Sequence, residues 1–234
     1  MGSNTSTSFL HITDLHKSYA EGRKQRQIFA GAELALQKNE IVVLLGRSGS
    51  GKSTLLNLLG GIDVPEQGSI HILDTELSAL NETGRTLFRR QHMGYIFQFF
   101  NLIPTLNVEE NLLLKLELNN IATAANKDYA FSLLSEVGIG DRRQSYPDML
   151  SGGEQQRLAI ASAIVHKPKL ILADEPTGNL DATTGEEILG LLKRLVKNEG
   201  ATLFMATHSK EAAALGDRVV EIKDGQILER TDAL

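Results

Sequence analysis

A glycine-rich loop directly after an apolar strand constrains the fold of this chain more than any other stretch. Five apolar residues at 41–45 run into Gly-Arg-Ser-Gly-Ser-Gly-Lys-Ser at 46–53, which fits the spacing G-x-x-x-x-G-K-[ST]. The glycines let the backbone curl until its N–H groups point at phosphate oxygens, and the helix that follows offers an anion-binding N-terminus. The order of strand, loop and helix predicts an α/β fold that binds phosphates.

Two side chains of this loop have predictable roles. Lys52 places a positive charge where the β and γ phosphates of a nucleotide would lie, and the Ser53 hydroxyl is a ligand for Mg²⁺. Tyr19, in the polar turn at 19–26, is available to stack on a base, although an aromatic residue near a turn more often serves packing. The predicted nucleotide contacts are Tyr19, Gly46, Arg47, Ser48, Gly49, Ser50, Gly51, Lys52, Ser53 and Thr54.

Composition and charge exclude several classes of protein. The 234 residues carry a net charge of −5, with no basic excess to neutralise a phosphate backbone, so nucleic acid is not predicted as a partner. There is no cysteine, which excludes disulfides and thiolate metal sites. No apolar run approaches the roughly 18 residues needed to cross a bilayer, so a role at a membrane would require another polypeptide.

The hydrophobic pattern divides the chain into a leader and one domain. Residues 1–8 are polar and are predicted to be a disordered leader, and 9–234 are predicted to form a single domain. Short strands at 9–13 and 32–36 predict an antiparallel β region before the phosphate loop. Apolar residues then recur at helical spacing, which predicts a helical subdomain over about 99–165, inserted in the α/β core.

Polar side chains follow the predicted central strands. Gln98, Asp174 and His208 each come after an apolar run, and parallel strands of an α/β sheet present functional groups at their carboxyl ends. Asp174 is placed to hold Mg²⁺ with Ser53, and Glu175 to orient or deprotonate an attacking water. His208 is placed to contact the γ phosphate and that water. The alternatives are a helix-capping aspartate, a surface glutamate and a structural histidine.

A second helix N-terminus suited to binding an anion lies about a hundred residues beyond the phosphate loop. Ser151 is a predicted N-cap, and the two glycines after it expose the first N–H groups of a helix that stops before Pro168. No phosphate loop lies near it in the sequence. The chain therefore has two stretches suited to binding phosphate.

Taken together, these motifs resemble the ATP-binding-cassette (ABC) ATPases, and the match spans nearly the whole chain. The phosphate loop matches the Walker A motif, residues 170–174 match Walker B, and Leu-Ser-Gly-Gly-Glu-Gln-Gln at 150–156 matches the family's signature motif. Gln98 falls on the Q-loop glutamine, His208 on the switch histidine and Tyr19 on the adenine-stacking aromatic. A Walker A motif with this signature just before Walker B is highly specific.

The resemblance implies roles for individual residues. Glu175 and His208 would be catalytic, and the implied metal site consists of Ser53, Gln98 and Asp174. In this family the signature residues contact ATP that is held by the opposite subunit. These residues are Ser151, Gly152, Gly153, Glu154 and Gln155, with Asp181 as the D-loop aspartate.

The resemblance also implies an architecture and partners. The fold would be an α/β P-loop NTPase with a central mostly parallel sheet, an N-terminal antiparallel β subdomain and a helical subdomain. ATP and Mg²⁺ would be the cofactors. The partners would be a second copy in a head-to-tail ATP sandwich and an integral membrane permease subunit, which holds the chain peripherally on the cytoplasmic face of the inner (plasma) membrane. The candidate permease contacts, expected to be exposed, are Phe99, Phe100, Leu102 and Ile103.

Finer motifs at 98–106, 146–153 and 174–181 are similar to the bacterial group of lipoprotein-release and macrolide-export ATPases. A cell-division ATPase of the same group is also similar, so the alternative to transport is an ATPase that drives a mechanotransmission or cell-division complex. DNA-repair and chromosome ATPases usually carry a coiled-coil or zinc insertion, which this sequence lacks. Arg47, and the serine after His208, depart from the common residues at those positions.

Overall fold

The computed structural model describes residues 8–22 and 24–230, so most of the predicted leader lies outside the described residues. The strands are β1 Leu10–Glu21, β2 Lys24–Leu36, β3 Ile41–Leu45, β4 Gln67–Ile72, β5 Thr75–Glu76, β6 Met93–Ile96, β7 Leu170–Asp174, β8 Thr202–Thr207, β9 Arg218–Lys223 and β10 Gln226–Glu229. The α-helices are α1 Lys52–Leu59, α2 Glu82–His92, α3 Val108–Leu118, α4 Ala124–Glu136, α5 Gly152–Ile164, α6 Ala182–Glu199 and α7 Lys210–Ala213. Single 3₁₀ turns lie at Leu77–Ala79, Gly140–Arg142 and Pro147–Met149.

The central sheet has six strands in the order β10-β9-β3-β8-β7-β6. Every pairing from β9 to β6 is parallel, and only the β9–β10 hairpin is antiparallel. Its two-residue turn, Asp224-Gly225, has positive φ at both positions, which is the conformation that Asp-Gly favours in hairpins. The predicted α/β fold with a mostly parallel sheet is confirmed.

Both faces of the central sheet are buried, which explains why its strands read as unbroken apolar runs. In β3, Val42 and Leu44 face a core shared with α1 and the antiparallel sheet, whereas Val43 and Leu45 face a core shared with α3 to α6. Burial on both faces holds the strands in register. The residues just beyond the carboxyl ends of β3, β6, β7 and β8 are therefore set in fixed positions.

The antiparallel sheet, in the order β2-β1-β4-β5, extends further than the sequence predicts. The stretch predicted as a polar turn at 19–26 largely belongs to the two long strands, and Tyr19 pairs with Arg26 in the ladder. Apolar alternation ends early here because neither face of this end of the hairpin is buried in the core. A pattern based on burial therefore underestimates the strand length.

The helical region over 99–165 begins with α3, where Asn107 and Glu110 form a capping box. Helix α2 begins at Glu82, where the Asn81 side chain caps a polar first turn. Among the described residues, no helix is both long and apolar enough to cross a bilayer.

Candidate nucleotide site

Steric crowding explains why glycines occupy the loop between β3 and α1. Gly51 caps α1 with φ 103°, and a Cβ there would come 2.7 Å from Ile28 Cγ2. A Cβ at Gly46 would come 2.8 Å from Ser50 Oγ. Because a larger residue would push the loop open at either point, the tight curl needs glycine at both.

The loop forms one wall of a cavity of about 720 Å³ at the carboxyl end of the central sheet. The cavity collects side chains that lie far apart in the sequence, including nearly all of the predicted nucleotide contacts. It is lined by Tyr19, Glu21, Arg26, Ile28, Arg47, Ser48, Gly49, Gly51, Lys52, Ser53, Thr54, Gln98, Asp174, Glu175 and His208. Of the predicted contacts, Gly46 and Ser50 do not line it; they lie behind the lining and shape the loop.

Lys52 is almost fully buried at the base of the cavity. Its Nζ donates hydrogen bonds to the carbonyl oxygens of Gly46, at 2.7 Å, and Arg47, at 3.3 Å. Glu175 Oε1 lies 3.5 Å from the same ammonium group. The loop therefore holds a desolvated cation, which attracts a phosphate more strongly than a solvated one would.

Ser53 and Asp174 meet across the cavity floor. Ser53 Oγ donates to Asp174 Oδ2 at 3.1 Å, and Asp174 ends β7 as the sequence predicts. Burial raises the pKa of Asp174 above its usual range, the charge of Glu175 raises it further, and Ser53 and Lys52 oppose the shift. A cation beside Asp174 would offset the penalty on its charged form.

Glu175 is held in a strained position by the end of β8. Its φ is 47°, in the left-handed region that non-glycine residues rarely adopt, and its N–H donates to Ala206 O at 2.9 Å. Glu175 Oε2 accepts from Thr207 Oγ1 at 3.1 Å and lies 3.0 Å from His208 Nδ1. The carboxylate is therefore fixed between the lysine of the loop and the histidine after β8.

Gln98 lies two residues beyond the end of β6, not at the strand end itself. Its side chain lines the cavity, and its backbone oxygen accepts from Asn179 Nδ2 at 2.7 Å. That hydrogen bond ties the loop after β6 to the segment between β7 and α6.

Three lining residues were missed by the sequence analysis: Glu21, Arg26 and Ile28. Arg26 Nη2 donates to Gly49 O at 2.5 Å, and Arg26 Nη1 lies 3.1 Å from Glu21 Oε1. Arg26 lies beside the cavity because it pairs with Tyr19 across the hairpin. That register depends on strands longer than the burial pattern indicates, so it could not be read from the sequence.

The signature residues form a separate site. Ser151 caps α5, and Glu154 completes a capping box by accepting from Ser151 N at 2.8 Å and from Ser151 Oγ at 2.9 Å. Hydrogen bonds from Ser151 lower the pKa of Glu154, and Arg142 Nε donates to Glu154 Oε1 at 3.1 Å. A Cβ at Gly153 would come 2.9 Å from Thr184 Cγ2, so glycine allows α5 to approach α6 closely.

Within the described residues, the set that lines the Walker A cavity contains none of residues 151–155 and does not contain Asp181. Asp181 instead caps α6, where it accepts from Thr184 N at 3.0 Å and from Thr184 Oγ1 at 2.7 Å. A Cβ at Gly152 would lie 3.5 Å from Leu180 Cδ2. The signature and the D-loop therefore adjoin each other, while the phosphate cavity is built without them.

The expectation of four exposed apolar residues after Gln98 is only partly correct. Phe99 is 74% exposed and Ile103 38% exposed. Leu102 instead packs against the hydrophobic core, and Phe100 is half-buried, with its ring next to Gly152. A turn separates Phe99 from Leu102: φ is 59° at Phe100 and 51° at Asn101, and Phe100 N donates to Phe97 O at 3.4 Å.

The central sheet is mostly parallel, a glycine-rich loop joins β3 to α1, and two carboxylates lie at the end of β7. These features define a P-loop nucleotide-binding protein. The sequence profile of the ABC transporter family matches residues 29–178. The chain belongs to the ABC transporter family. It is an ATP-binding, ATP-hydrolysing cassette of that family.

Three curated relatives cover most of the chain. An uncharacterized ABC transporter ATP-binding protein of Mycobacterium tuberculosis is 46% identical over 94% of this chain and 88% of its own length. The lipoprotein-releasing system ATP-binding protein LolD of Zymomonas mobilis is 40% identical over 94% of this chain and 95% of its own length. The bacitracin export ATP-binding protein BceA of Halalkalibacterium halodurans is 41% identical over 94% of this chain and 87% of its own length.

Solved structures of the ABC transporter cassette MJ0796 have the same fold. Its dimeric structure matches with a TM-score of 0.85 and 36% identity, over 94% of this chain and 97% of the other. A post-hydrolysis structure of the same cassette, bound to ADP and Pi, matches with a TM-score of 0.82 and 34% identity. These matches confirm the P-loop NTPase fold and the ATPase activity expected from the sequence.

Proposed function

We propose that this chain is the ATP-hydrolysing subunit of a bacterial membrane transporter of the export or lipoprotein-release type. The observation that carries the proposal is the separation of its two phosphate-binding features. The Walker A loop, Asp174 and Glu175 share one cavity, while the signature lies outside that cavity beside the D-loop. The names of the relatives LolD and BceA favour transport over the mechanotransmission alternative.

In this proposal the chain's own residues bind ATP and prepare a water for attack. Lys52 and the loop N–H groups hold the β and γ phosphates, and Tyr19 stacks on the adenine. Glu175 accepts a proton as the water oxygen bonds to the γ phosphorus and the bond to the bridging oxygen breaks, which leaves ADP and phosphate. His208, 3.0 Å from Glu175, orients that carboxylate and contacts the γ phosphate.

Ser53, Asp174 and Gln98 suit Mg²⁺, because all three offer hard oxygen donors. No cluster of three acidic or histidine side chains suited to a metal occurs in the described part of the chain. Mg²⁺ is usually bound through one or two carboxylates and substrate phosphates, and Asp174 supplies one carboxylate here. When bound there, Mg²⁺ would neutralise charge on the β and γ phosphates.

Two copies would complete each other's sites in a head-to-tail dimer. Ser151 caps a 13-residue helix whose first N–H groups favour an anion. In the proposed dimer that anion is the γ phosphate bound by the Walker A loop of the second copy. The dimeric structure of MJ0796 supports the formation of a dimer.

The proposed membrane partner is an integral permease, which would hold the chain peripherally on the cytoplasmic face of the inner membrane. Phe99 and Ile103 are the candidate contacts, joined by the exposed Tyr146 and Met149 just before the signature. Leu102 is excluded from this set because it is half-buried and packs against the core. In the sequence these contacts are next to Gln98, which lines the Walker A cavity, and next to the signature. A permease bound there would therefore be affected by changes at either of these two sites.

Co-purification in detergent tests this proposal. The tagged chain, expressed in its native host, should retain an integral membrane protein, and that complex should hydrolyse ATP faster than the isolated chain. The double substitution Phe99→Ser and Ile103→Ser should abolish retention while the isolated ATPase rate stays unchanged. Leu228→Ser, which alters an exposed apolar residue on β10, is the matched control. Retention of the partner by the double variant would contradict the assigned surface.

A further inference from the structure

The hairpin that carries Tyr19 extends beyond the sheet that supports it. Pairing between β1 and β4 ends at His16 and Gln67, so the last five residues of β1 pair only with β2. A two-stranded ribbon is marginally stable by itself. An aromatic side chain on such a ribbon needs a further attachment if it is to hold one orientation.

That attachment is Asp63, in the loop that leaves α1. Its Oδ2 accepts from the Tyr19 hydroxyl at 2.7 Å, and its Oδ1 accepts from Lys17 Nζ at 2.7 Å and from Val64 N at 2.7 Å. Lys17 also donates to Val64 O at 2.9 Å. The carboxylate thus joins the strand, the tyrosine and the loop at one point.

The electrostatics of this contact favour a fixed carboxylate. Burial acts to raise the pKa of Asp63, but the hydrogen bonds from Lys17 and Tyr19 outweigh it, and the pKa lies below its ordinary value. Lys17 is 9% exposed, so its charge is largely desolvated and depends on Asp63 as its counter-ion. Charge-assisted hydrogen bonds of this kind are stronger and more directional than neutral ones.

The same contact determines which face of the Tyr19 ring is available. Lys17 Nζ lies over the ring at 5.2 Å from its centroid, so one face is covered by the ammonium group. The ring is 40% exposed and lines the phosphate cavity. A base can therefore stack only on the face opposite Lys17.

We propose that Asp63 is a positioning residue for base recognition: it fixes the Tyr19 ring, relative to the helix that follows the phosphate loop, with one face open to the base. The inference rests on the proposed contact between Tyr19 and adenine. Asp63 acts through the loop at 62–66, which leaves α1, and α1 begins at Lys52. The phosphates would bind at the start of α1, and the loop that leaves α1 would hold the tyrosine that stacks on the base. The positions of base and phosphates would therefore both depend on α1.

The test separates base recognition from phosphate binding. Dissociation constants for MgADP and for Mg-pyrophosphate are measured by titration calorimetry, since neither ligand is hydrolysed. Tyr19→Phe removes the hydroxyl, which interacts with Asp63 and Thr54, and keeps the ring. Asp63→Ala removes the attachment to the loop after α1. We expect both to weaken MgADP about three- to tenfold, which is less than the full loss of a hydrogen bond to a charged group because this bond acts on the base only through the ring, and to change pyrophosphate binding less than twofold.

Two comparisons make the test specific. Glu66 lies in the same loop as Asp63 and accepts a hydrogen bond from Ser18 of β1. Glu66→Ala removes that bond without changing the contacts of the Tyr19 hydroxyl, so it should leave MgADP binding unchanged. The Tyr19→Phe and Asp63→Ala double variant should be no weaker than Asp63→Ala alone, because both changes break one linkage. If thermal melting shows that Asp63→Ala is unfolded, Tyr19→Phe carries the test alone, because it breaks the same hydrogen bond and leaves Asp63 paired with Lys17.

Two results would overturn the inference. One is that Tyr19→Phe and the Asp63 variant bind MgADP as the unaltered protein does. The other is that they lose pyrophosphate and MgADP equally, which would mean that Asp63 supports the phosphate loop. Tyr19→Ala distinguishes failure of the proposed function: if it also binds MgADP normally, Tyr19 does not contact the base.

Discussion

Glu175 Oε2 lies 3.0 Å from His208 Nδ1, and Glu175 Oε1 lies 3.5 Å from Lys52 Nζ. The carboxylate therefore bridges the phosphate-binding lysine and the histidine after β8. The side chain of His208 is 68% exposed, whereas that of Glu175 is 13% exposed. A largely buried carboxylate held by two such partners can accept a proton in a fixed geometry.

Replacing this carboxylate should stop hydrolysis but not binding. Glu175→Gln keeps the size and hydrogen-bonding capacity of the side chain and removes the proton acceptor. We expect the turnover rate to fall at least about 100-fold while ATP affinity changes little, because Lys52 and the loop remain. Steady-state phosphate release and equilibrium ATP binding measure the two effects. A turnover rate equal to that of the unaltered protein would refute the role of Glu175.

The pKa of Asp174 leads to a prediction about stability without nucleotide or Mg²⁺. Its folded pKa lies above the unfolded value, so the charged carboxylate destabilises the native state at neutral pH, and protonation relieves this as the pH falls through the folded pKa. Asp174→Asn should therefore raise the free energy of unfolding at pH 7 by about 1 kcal/mol. Urea denaturation should show that gain shrinking toward acidic pH. A gain that is independent of pH would contradict this explanation.

Arg26 is expected to support ATP binding from the hairpin. It donates to Gly49 O and lines the cavity, so Arg26→Ala removes both a brace on the phosphate loop and a positive charge. The KM for ATP should rise about three- to tenfold with kcat nearly unchanged. Lys24→Ala, on the same strand but outside the cavity lining, is the matched control. Equal effects of the two substitutions would show that only overall charge matters.

His166 should make the fold sensitive to acid. Burial lowers its pKa to about 4, the nearby charge of Lys115 adds to the shift, and the hydrogen bond with Met93 O opposes it. Because the folded pKa is lower than the unfolded value, the stability it contributes is complete above pH 6.5 and is lost as the pH falls toward 4. The loss should reach roughly 3 kcal/mol.

His166→Gln, which does not titrate, isolates this contribution. The difference in unfolding free energy between the two proteins should change with pH across that window and stay constant above it. Urea denaturation at pH 7, 6 and 5 supplies the measurement. A constant difference at all three values would show that His166 is protonated equally in the folded and unfolded states.

Much of the site was predictable because its chemistry depends on short, local patterns. The spacing of the glycines with Lys52 and Ser53, and the apolar run that ends in Asp174, are each contained in a few consecutive residues. The central strands are buried on both faces, so they appear in the sequence as continuous apolar runs. Asp174 and Glu175 were therefore located at the end of their strand, where the structure has them.

The remainder depends on register and orientation, which short patterns do not encode. Arg26 reaches the cavity only because the hairpin continues past the point where burial leaves a pattern. Asp63 reaches Tyr19 from 44 residues away. Leu102 and Phe99 are both apolar and separated by a turn, yet Leu102 packs against the core and Phe99 is exposed.

Mixing two inactive variants tests the shared nucleotide site most directly. Lys52→Ala disables the phosphate loop, and Ser151→Arg disables the signature, so each variant alone should lack ATPase activity. A heterodimer of the two would contain one site in which both halves are intact. Equal mixing should restore activity to roughly a quarter of that of the unaltered protein, since half of the dimers would be mixed and each would carry one working site. Activity no greater than the sum of the separate variants, in a mixture shown to contain heterodimers, would contradict the account.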